Sequence, residues 1–317
     1  MKFNFKYLIF VIVLIADSAV LFALILGKLG KYNWWFDLFS HFQMQYFIAF
    51  FVLGVILLVL KKFKYVAVSL IGVLLTLLAI MPVYIGGDGN VRDSASGRNL
   101  SVQYMNINVG NDSADMIIEE IRSKDPDVLF IIEANEFVFE EIKEKLDFEV
   151  AHYANGPGAF SMAMFSKLEV RDIQVIDFVN IYIPSIVATL RIEDKDVCII
   201  GTHPVPPMTP MRADDRNQQL LNIAEFIAEN PIQTVLVGDF NMTPYSPYYS
   251  DILDISGLKD SRNGFGIHNS WPVGLPWIAR IPIDHAWVSE DIIVLDREIG
   301  LEINSDHLPV YLRLNIL

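Results

Sequence analysis

The sequence of 317 residues contains a single cysteine, Cys198, so no disulfide framework can form within the chain. Basic residues are also scarce, since 24 Lys and Arg stand against 38 Asp and Glu, a formal net charge of −14. Proteins that bind nucleic acid through its phosphate backbone need clustered Lys and Arg, so this balance disfavours such a binder. An apolar fraction of 53% excludes an intrinsically disordered chain.

Charge and hydropathy divide the chain into two unlike parts. Before Gly86, seven Lys and two Asp give a net charge of +5, whereas 17 basic and 36 acidic residues from Gly86 onward give −19. The first part contains three apolar runs, each about as long as a helix that spans a hydrocarbon core: Tyr7 to Leu26, Phe42 to Leu60 and Tyr65 to Ile85. We predict a membrane anchor of three transmembrane helices over residues 1–85. A signal peptide would be followed by polar chain instead, so we expect no cleavage.

The lysines near these runs predict how the anchor is oriented. Short loops rich in Lys and Arg stay in the cytoplasm. Five lysines precede the first run or follow the second (Lys2, Lys6, Lys61, Lys62 and Lys64), whereas only Lys28 and Lys31 lie between the first and second runs. The sequence therefore predicts a multi-pass protein of the plasma or inner membrane whose domain after Gly86 is extracytoplasmic. An unpaired cysteine suits that compartment.

One acidic residue, Asp17, interrupts the first apolar run. An ionised carboxylate inside a membrane costs at least about 2.5 kcal/mol. Two interpretations remain open, a polar contact within the bundle or with a partner, and a protonated or interface-reaching side chain.

The remainder of the chain alternates short β-rich runs with amphipathic stretches. Residues 86–99 are rich in Gly, Ser and charge and predict a linker. Amphipathic helices fit after Asp112 or Ser113 and after Thr209, which can act as N-caps. Residues 100–317 therefore predict an α/β sandwich with a substantial core. The predicted strands are Leu100 to Asn106, Val128 to Glu133, Ser161 to Ser166, Ile186 to Ile192, Val197 to Thr202, Thr234 to Asp239, Ile283 to Ser289 and Pro309 to Leu314.

Polar residues interrupt these strands, and we expect each of them at a carboxyl end, where loops line a site in α/β folds. Taken singly, each is better explained as a solvated loop residue or an Asx turn. Six interruptions in one domain indicate a shared site instead. They are Asn106, Glu133, His203, Asp239 with Asn241, Asp284 with His285, and Asp306 with His307.

The order of these landmarks resembles the endonuclease/exonuclease/phosphatase superfamily, which has the DNase I-like fold. The resemblance covers Leu100 to Leu317 and runs N, PD…E, TH, GDFN, DH and SDH. The spacing of GDFN and SDHLPV, about 65 residues, is its most specific feature. It implies a four-layer α/β sandwich that follows the three transmembrane helices, and an enzyme that hydrolyses phosphoric esters or diphosphates.

Chemistry explains why a phosphoesterase needs these residue types. A divalent cation neutralises phosphate oxygens, and Mg²⁺ or Mn²⁺ prefers hard oxygen ligands. The absence of cysteine ligands argues against a structural zinc. The resemblance implies that Glu133 is the principal metal ligand, with Asn106 beside it and Asp306 near the metal. Asn108 stands where some nucleases carry an acid, which puts a second strong metal position in doubt.

The resemblance also implies the catalytic residues. Asp239 matches the residue that orients and deprotonates the attacking water, and Asn241 holds that arrangement. His203 would donate to the phosphate or to the leaving oxygen. His307 would contact the phosphate from the other side, oriented and made more cationic by Asp284.

The fold does not choose the substrate, so local features must. The segment Gly264 to Ile283 places Trp271 and Trp277 in an apolar loop just before Asp284. This loop could enter the membrane interface and bind an acyl or prenyl chain; the alternative is ordinary packing over a sheet edge.

Two arginines offer a second substrate-binding feature. Arg212 and Arg216 lie four residues apart near the start of a predicted helix. They could grip a second phosphate; the alternative is pairing with nearby acids, namely Asp214, Asp215 or Glu225.

The whole layout, three spans with an SWP segment and a closing SDHLPV, is similar to a membrane-anchored bacterial branch that includes teicoplanin-resistance proteins. That similarity implies hydrolysis of a lipid or lipid-linked (polyprenyl) phosphate or pyrophosphate on the outer leaflet. The predicted partners are the lipid bilayer and this substrate, with nucleic acid less favoured and no protein partner indicated. A surface-tethered nuclease or nucleotidase is the alternative, and a non-catalytic binding module is a third hypothesis.

Overall fold

The computed structural model describes residues 5–87 and 97–317. In the first range, three helical segments are long and apolar enough to cross a membrane, as predicted: Phe5–Lys28, Trp34–Val59 and Phe63–Val83. The helices within them are α1 (Phe5–Lys28), α2 (Trp34–Asp37), α3 (Gln43–Val59) and α4 (Phe63–Ile80). Asp17 is buried between α1 and α4, where its carboxylate accepts a hydrogen bond of 3.0 Å from the hydroxyl of Ser69. The first interpretation of Asp17, a polar contact within the bundle, therefore matches the structure.

The two ends of the helix bundle differ in what they contact. At one end, the ammonium of Lys62 lies 4.4 Å from the ring centroid of Phe10. At the other end, the backbone of Gly27 packs against Ser40, and Lys31 forms an ion pair of 2.5 Å with Asp251 of the following domain. The turn that carries Lys61 and Lys62 and the domain after the anchor therefore lie at opposite ends of the bundle.

The predicted linker is shorter than expected. Residues 88–96 lie outside the described residues, but the first strand already begins at Arg98 and so includes the last two residues of the predicted linker, Arg98 and Asn99. Arg98 pairs with Ile316 and Asn99 with Asn315 of the last strand. The linker prediction is wrong there because backbone pairing with a distant strand overrides the polar local sequence.

Residues 98–317 form two sheets of six strands. The first has the order β11-β12-β1-β2-β4-β3 and the second β5-β6-β7-β8-β10-β9. The pairs β1/β2 and β7/β8 are parallel and the other pairs are antiparallel. The strands are β1 (Arg98–Asn106), β2 (Val128–Ile132), β3 (Val150–Ala154), β4 (Met162–Ser166), β5 (Val170–Ile176), β6 (Ser185–Ile192), β7 (Lys195–Thr202), β8 (Gln233–Asp239), β9 (Leu258–Asp260), β10 (Asp284–Ser289), β11 (Ile292–Ile299) and β12 (Val310–Ile316).

Helices cover the outer face of each sheet and complete the four predicted layers. They are α5 (Ala114–Lys124), α6 (Glu136–Lys145), α7 (Pro210–Glu229) and α8 (Tyr249–Ser256). One apolar cluster, which includes Val102, Phe130 and Val237, fills the space between the sheets. Two further clusters join the first sheet to α5 and α6 and the second sheet to α7 and α8. The predicted α/β sandwich of the DNase I-like class is confirmed.

The four strands that the sequence pattern did not predict are the four sheet edges, β3, β5, β9 and β11. An edge strand is paired on one side only, so its sequence need not be a continuous apolar run. In β5, for example, Arg171, Asp172, Gln174 and Val175 are all exposed. The eight predicted strands are the eight inner ones.

The domain formed by residues 98–317 contacts one end of the helix bundle directly. Ile80 and Val83 at the end of the anchor pack with Tyr245 and Ile267 of the domain. The carbonyl of Val83 also accepts hydrogen bonds from the amides of Gly264 (3.0 Å) and Gly266 (2.9 Å). The end of the third span is thus bonded to the domain, although the connecting sequence is polar.

Candidate active site

The two parallel strand pairs bring four of the predicted residues to one edge of the sandwich. Asn106 ends β1 and Glu133 follows β2, while His203 follows β7 and Asp239 ends β8. Because parallel strands end on the same side, their terminal side chains converge. The two sheets contribute one pair each.

The prediction that every polar interruption lies at a carboxyl end is wrong for the later ones. Asp284 is the first residue of β10, and Asp306 and His307 precede β12. Both strands are antiparallel to their neighbours, so their beginnings lie beside the ends of β8 and β1. The register pairs Asp284 directly with Asp239.

A cavity of about 800 Å³ opens over these strand ends. Eight of the twelve predicted site residues line it, which is the convergence expected of a ligand site. They are Glu133, His203, Arg212, Asp239, Asn241, Trp271, Asp306 and His307. Asn106 and Asp284 lie behind this lining and contact it through hydrogen bonds. Arg216 and Trp277 do not line the cavity.

Two histidines flank the carboxylate of Asp239 and differ in charge. The Nε2 atoms of His203 and His307 each lie 3.6 Å from Asp239 Oδ2. Burial lowers the pKa of His203 to about 3, and the charge on His307 adds to this shift. For His307, burial acts in the same direction, but the carboxylates of Asp284 and Asp239 outweigh it and raise the pKa to about 10. At neutral pH His203 is therefore neutral and His307 is cationic.

The environment of Asp239 suits a group that exchanges protons near neutral pH. Burial raises its pKa to about 7, against the lowering effect of His307. The backbone amide of Asn241 donates to Asp239 Oδ1 at 2.9 Å, while the Asn241 side chain donates to the carbonyl of Pro204 at 3.0 Å. A carboxylate with a pKa near the working pH is suited to general base catalysis.

Asp284 acts on His307 from the buried side. Its Oδ2 lies 3.0 Å from His307 Nδ1. Burial alone would raise the pKa of Asp284, but His307 and the hydrogen bonds around the carboxylate reverse the shift and lower it. This arrangement is the one expected of a carboxylate that orients an imidazole.

Sequence reasoning missed Tyr104, which supports the same carboxylate. Tyr104 is fully buried between the sheets, and its hydroxyl donates to Asp284 Oδ1. Burial, followed by the charges of Asp284 and Asp239, raises its pKa well above the ordinary value, so it stays a donor. A signal existed, because Tyr104 lies two residues before Asn106 and thus on the same face of β1, and a tyrosine inside a core needs a partner for its hydroxyl.

The first sheet supplies a group of oxygen atoms that could bind a metal ion and that no described Lys or Arg side chain neutralises. The amide of Asn106 donates to Glu133 Oε1 at 3.0 Å, and the amide of Asn108 donates to Asp306 Oδ1 at 3.2 Å. The backbone of Val109 donates to Glu133 Oε2 at 3.2 Å. Within residues 5–87 and 97–317, no Lys or Arg forms an ion pair with Glu133 or Asp306.

This donor set fits a hard divalent cation, because its oxygen atoms carry negative charge that the described side chains do not balance. Glu133, Asn106 and Asp306 would hold the ion, which when bound neutralises phosphate oxygens. A second group, Asp239 with Asp284 and His307, has ligand atoms within 4.8 Å of one another. There the cationic His307 already offsets one of the two carboxylate charges, so the first set is the better cation site.

Strained backbone occurs in both groups of site residues. Asn108 (φ 63°), Glu133 (φ 54°) and Asn241 (φ 48°) all occupy the left-handed region. Such conformations cost of the order of 1 kcal/mol or more for a non-glycine residue and cluster at functional sites. The surrounding strands hold these three residues against that cost.

The phosphate-binding interpretation of Arg216 is wrong. Its side chain is 1% exposed and forms a 2.7 Å ion pair with Asp37 of the anchor, which is none of the acids considered as alternatives. Arg212, one helical turn earlier, is half-buried and lines the cavity. The prediction that both arginines lie on one helix is correct, but Arg216 faces the anchor and not the cavity.

The two tryptophans of the apolar loop lie in different places. The indole of Trp271 donates to Asp306 Oδ2 at 2.9 Å, and its ring centroid is 6.2 Å from that of His307. Trp271 therefore lines the cavity and does not project outward. Trp277 is 52% exposed, next to exposed Leu275 and Ile278.

Comparison with known proteins identifies the class that this fold and site define. Residues 104–307 match the model of the Endonuclease/Exonuclease/phosphatase family. The chain belongs to this family, whose members are metal-dependent phosphodiesterases and nucleases. No curated protein matches the chain.

Solved structures share the fold at low identity. TDP2 from D. rerio, complexed with a single-strand DNA product, is 15% identical with a TM-score of 0.59, over 68% of this chain and 99% of its own. An endonuclease/exonuclease/phosphatase from Bacteroides vulgatus is 18% identical with a TM-score of 0.59, over 69% and 100%. A family protein from Bacteroides thetaiotaomicron is 16% identical with a TM-score of 0.56, over 70% and 99%. These likenesses concern the fold alone.

Proposed function

We propose that this protein is a membrane-anchored, Mg²⁺-dependent phosphoesterase that hydrolyses a lipid or lipid-linked phosphate or pyrophosphate. One observation carries the proposal. The loop that begins at Trp271 in the cavity is also bonded to the outer end of a membrane helix, since Gln45 of α3 donates to the carbonyls of Ile278 (3.0 Å) and Arg280 (3.1 Å). One short segment thus joins the cavity to the end of α3 that we expect at the bilayer surface.

The walls of the cavity favour an amphipathic substrate. Beside the catalytic cluster, the lining includes the apolar side chains Phe160, Ile181, Ile183, Val205 and Met211. Met211 is 70% exposed, and Leu275, Trp277 and Ile278 are also exposed on the loop bonded to α3. Exposed apolar side chains at a membrane end of a protein are suited to lipid contact.

The catalytic roles follow from charge and position. Asp239 would take the proton of the attacking water, and cationic His307 would contact the phosphate, with Arg212 available for a second phosphate. His203 would act as the neutral hydrogen-bond donor beside the leaving oxygen. Glu133, Asn106 and Asp306 would hold Mg²⁺ or Mn²⁺.

The extracytoplasmic location rests on the positive charges of the anchor. The turn with Lys61 and Lys62 lies at the bundle end opposite to the catalytic domain, and such lysines favour the cytoplasm. Reporter fusions after Leu60 should score cytoplasmic and fusions after Asn99 extracytoplasmic. A cytoplasmic signal at Asn99 would overturn both the orientation and an outer-leaflet substrate.

The substrate class is tested with the full chain in liposomes. We expect Mg²⁺-dependent release of phosphate from a polyprenyl pyrophosphate or a phospholipid, as the similarity to the teicoplanin-resistance branch also suggests. Plasmid DNA should be cut slowly, because a domain of net −19 repels a polyanion. Rapid DNA cleavage at physiological salt would favour the alternative, a surface-tethered nuclease or nucleotidase.

The membrane-facing loop gives a sharper test. Trp277→Ala should reduce hydrolysis of a membrane-embedded substrate about three- to tenfold, the loss of roughly one interfacial aromatic contact, and leave a short-chain soluble analogue unaffected. Leu301→Ala is the matched control, since Leu301 is 72% exposed outside this loop. Equal losses on both substrates would contradict an interfacial role for Trp277.

A further inference from the structure

Residues 29–42, which connect α1 to α3 and include α2, contact the back of the active site; we call them the inter-span segment. Its Asp37 is 2% exposed and forms the 2.7 Å ion pair with Arg216 Nη2. The other carboxylate oxygen of Asp37 accepts hydrogen bonds from the hydroxyls of Ser246 (2.8 Å) and Ser40 (3.1 Å). The two charges are therefore buried together at the junction of the anchor and the domain.

Arg216 connects this junction to the catalytic residues. Its Nη1 donates to the backbone carbonyl of Asn241 at 2.9 Å. Asn241 has a left-handed conformation, and its backbone N–H donates to Asp239 Oδ1. Direct contacts thus lead from Asp37 through Arg216 and Asn241 to Asp239. The planar guanidinium suits this task because it can bind two acceptors at a fixed angle.

A second contact reaches the same loop independently. His41 Nδ1 lies 2.9 Å from Thr243 Oγ1, and both side chains are buried. Residues 239–246, which we call the catalytic loop, are therefore contacted by the anchor at Thr243 and Ser246 and, through Arg216, at Asn241. This differs from the exposed pair Lys31–Asp251, which joins the same two parts of the chain away from the cavity.

We infer that the inter-span segment supports the active site, with Asp37 and Arg216 as positioning residues that hold Asn241 and, through it, the carboxylate of Asp239. The inference rests on the proposed role of Asp239 in phosphoester hydrolysis. Its consequence is that turnover requires the catalytic domain to be seated on its own membrane anchor. The anchor then contributes to the rate as well as to the location of the enzyme.

The kinetic test uses the full chain in detergent micelles with Mg²⁺ and the soluble ester bis(p-nitrophenyl) phosphate. Asp37→Asn should lower kcat about 10- to 100-fold and change KM less than about twofold, because the substitution misplaces a catalytic group and does not weaken substrate binding. Asp251→Asn is the matched control at the same junction and should keep wild-type kcat. A wild-type kcat for Asp37→Asn would overturn the inference.

Two further variants separate positioning from misfolding. Asp37→Asn combined with Arg216→Gln leaves no unpaired buried charge, so it should fold yet stay as slow as the single variant. Ser246→Ala removes one hydrogen bond to the Asp37 carboxylate and leaves both charges of the ion pair in place, so it should have a smaller effect and lower kcat about threefold. Wild-type kcat in the folded double variant would overturn the inference, as would an unchanged kcat in Ser246→Ala.

Amide hydrogen exchange of the full chain gives a readout that does not require activity. Peptides over residues 239–246 should exchange about tenfold faster in both the double variant and Asp37→Asn, whereas residues 258–260 should not change. If the wild-type protein cleaves no phosphoester but the catalytic loop still responds, the proposed function fails and the positioning inference stands. Unchanged exchange in residues 239–246 would overturn the inference whatever the activity.

Discussion

The two sheets share one plan but supply the active site with different chemistry. Each has a parallel pair at its centre, and each ends that pair in polar residues at the same edge. The first sheet supplies Asn106 and partly exposed Glu133, whose charge no basic side chain among the described residues balances. The second supplies buried His203 and Asp239, whose pKa values shift strongly. Topology thus fixes where a polar group lies, and burial fixes whether it suits a cation or a proton.

The residues that would hold the cation, Glu133, Asn106 and Asp306, form what we call the cation half of the site, and its loss should have the largest effect. Glu133→Gln keeps the shape of the side chain but removes its charge, so we expect kcat/KM to fall about 10³-fold, roughly 4 kcal/mol of transition-state stabilisation. The Mg²⁺ concentration needed for half-maximal rate should also rise. Glu144→Gln, at an exposed position on α6, is the control. Near-wild-type turnover at the same Mg²⁺ concentration would contradict the assignment of Glu133.

The residues that would transfer or hold protons, His203, Asp239, Asp284 and His307, form the proton half of the site. They should respond differently to the same kind of change. Asp239→Asn should also lower kcat about 10²- to 10³-fold, because the base is lost. The Mg²⁺ dependence, however, should stay close to that of the wild type, measured by titrating the metal in the same assay. A large shift in Mg²⁺ requirement would show that Asp239 belongs to the cation half, and the contrast between the sheets would fail.

A smaller effect is expected at the residue that joins the halves. Tyr104 belongs to the first sheet, but its hydroxyl supports Asp284 of the second. Tyr104→Phe removes one buried hydrogen bond to a charged group, worth about 1.5–3 kcal/mol, so kcat should fall about 10- to 100-fold. Tyr311→Phe on β12, outside the cavity lining, should leave kcat unchanged. Equal kcat for Tyr104→Phe and the wild type would show that catalysis does not need the hydrogen bond from Tyr104 to Asp284.

The pH profile of the wild-type enzyme tests the contrast without a mutation. Asp239 must be deprotonated to act as a base, and its pKa is about 7, so kcat/KM should fall up to tenfold per unit as the pH drops below 7. His307, with a pKa of about 10, keeps its charge throughout this range. The acid limb should lie at the same pH with Mg²⁺ and with Mn²⁺. A limb that moves with the metal would assign it to the cation half instead.

The accuracy of the sequence-based predictions follows the burial of each element. Most residues of the inner strands are buried, so Val128–Ile132 and the Val235 to Val237 part of β8 stand out as apolar runs. The edge strand β5 carries Arg171 and Asp172 on exposed positions, and β11 is interrupted by Asp296 and Arg297, so the pattern did not predict either strand. Similarly, the GDFN and SDH segments located Asp239 and His307 by their order along the chain. Nothing local to Arg216 indicated that its partner lies 179 residues away in the anchor.

The sequence by itself determined the three apolar spans, the inner strands and the residue types that gather at their ends. These depend on local composition and periodicity, which a chain carries before it folds. Only the tertiary structure decided that Arg216 binds Asp37, that Trp271 faces Asp306 and that Tyr104 supports Asp284. Each of these contacts joins residues from different elements, and burial at the contact sets the charge and hydrogen bonding of both partners. No local pattern encodes that environment, because it exists only once the sheets, the loop and the anchor have come together.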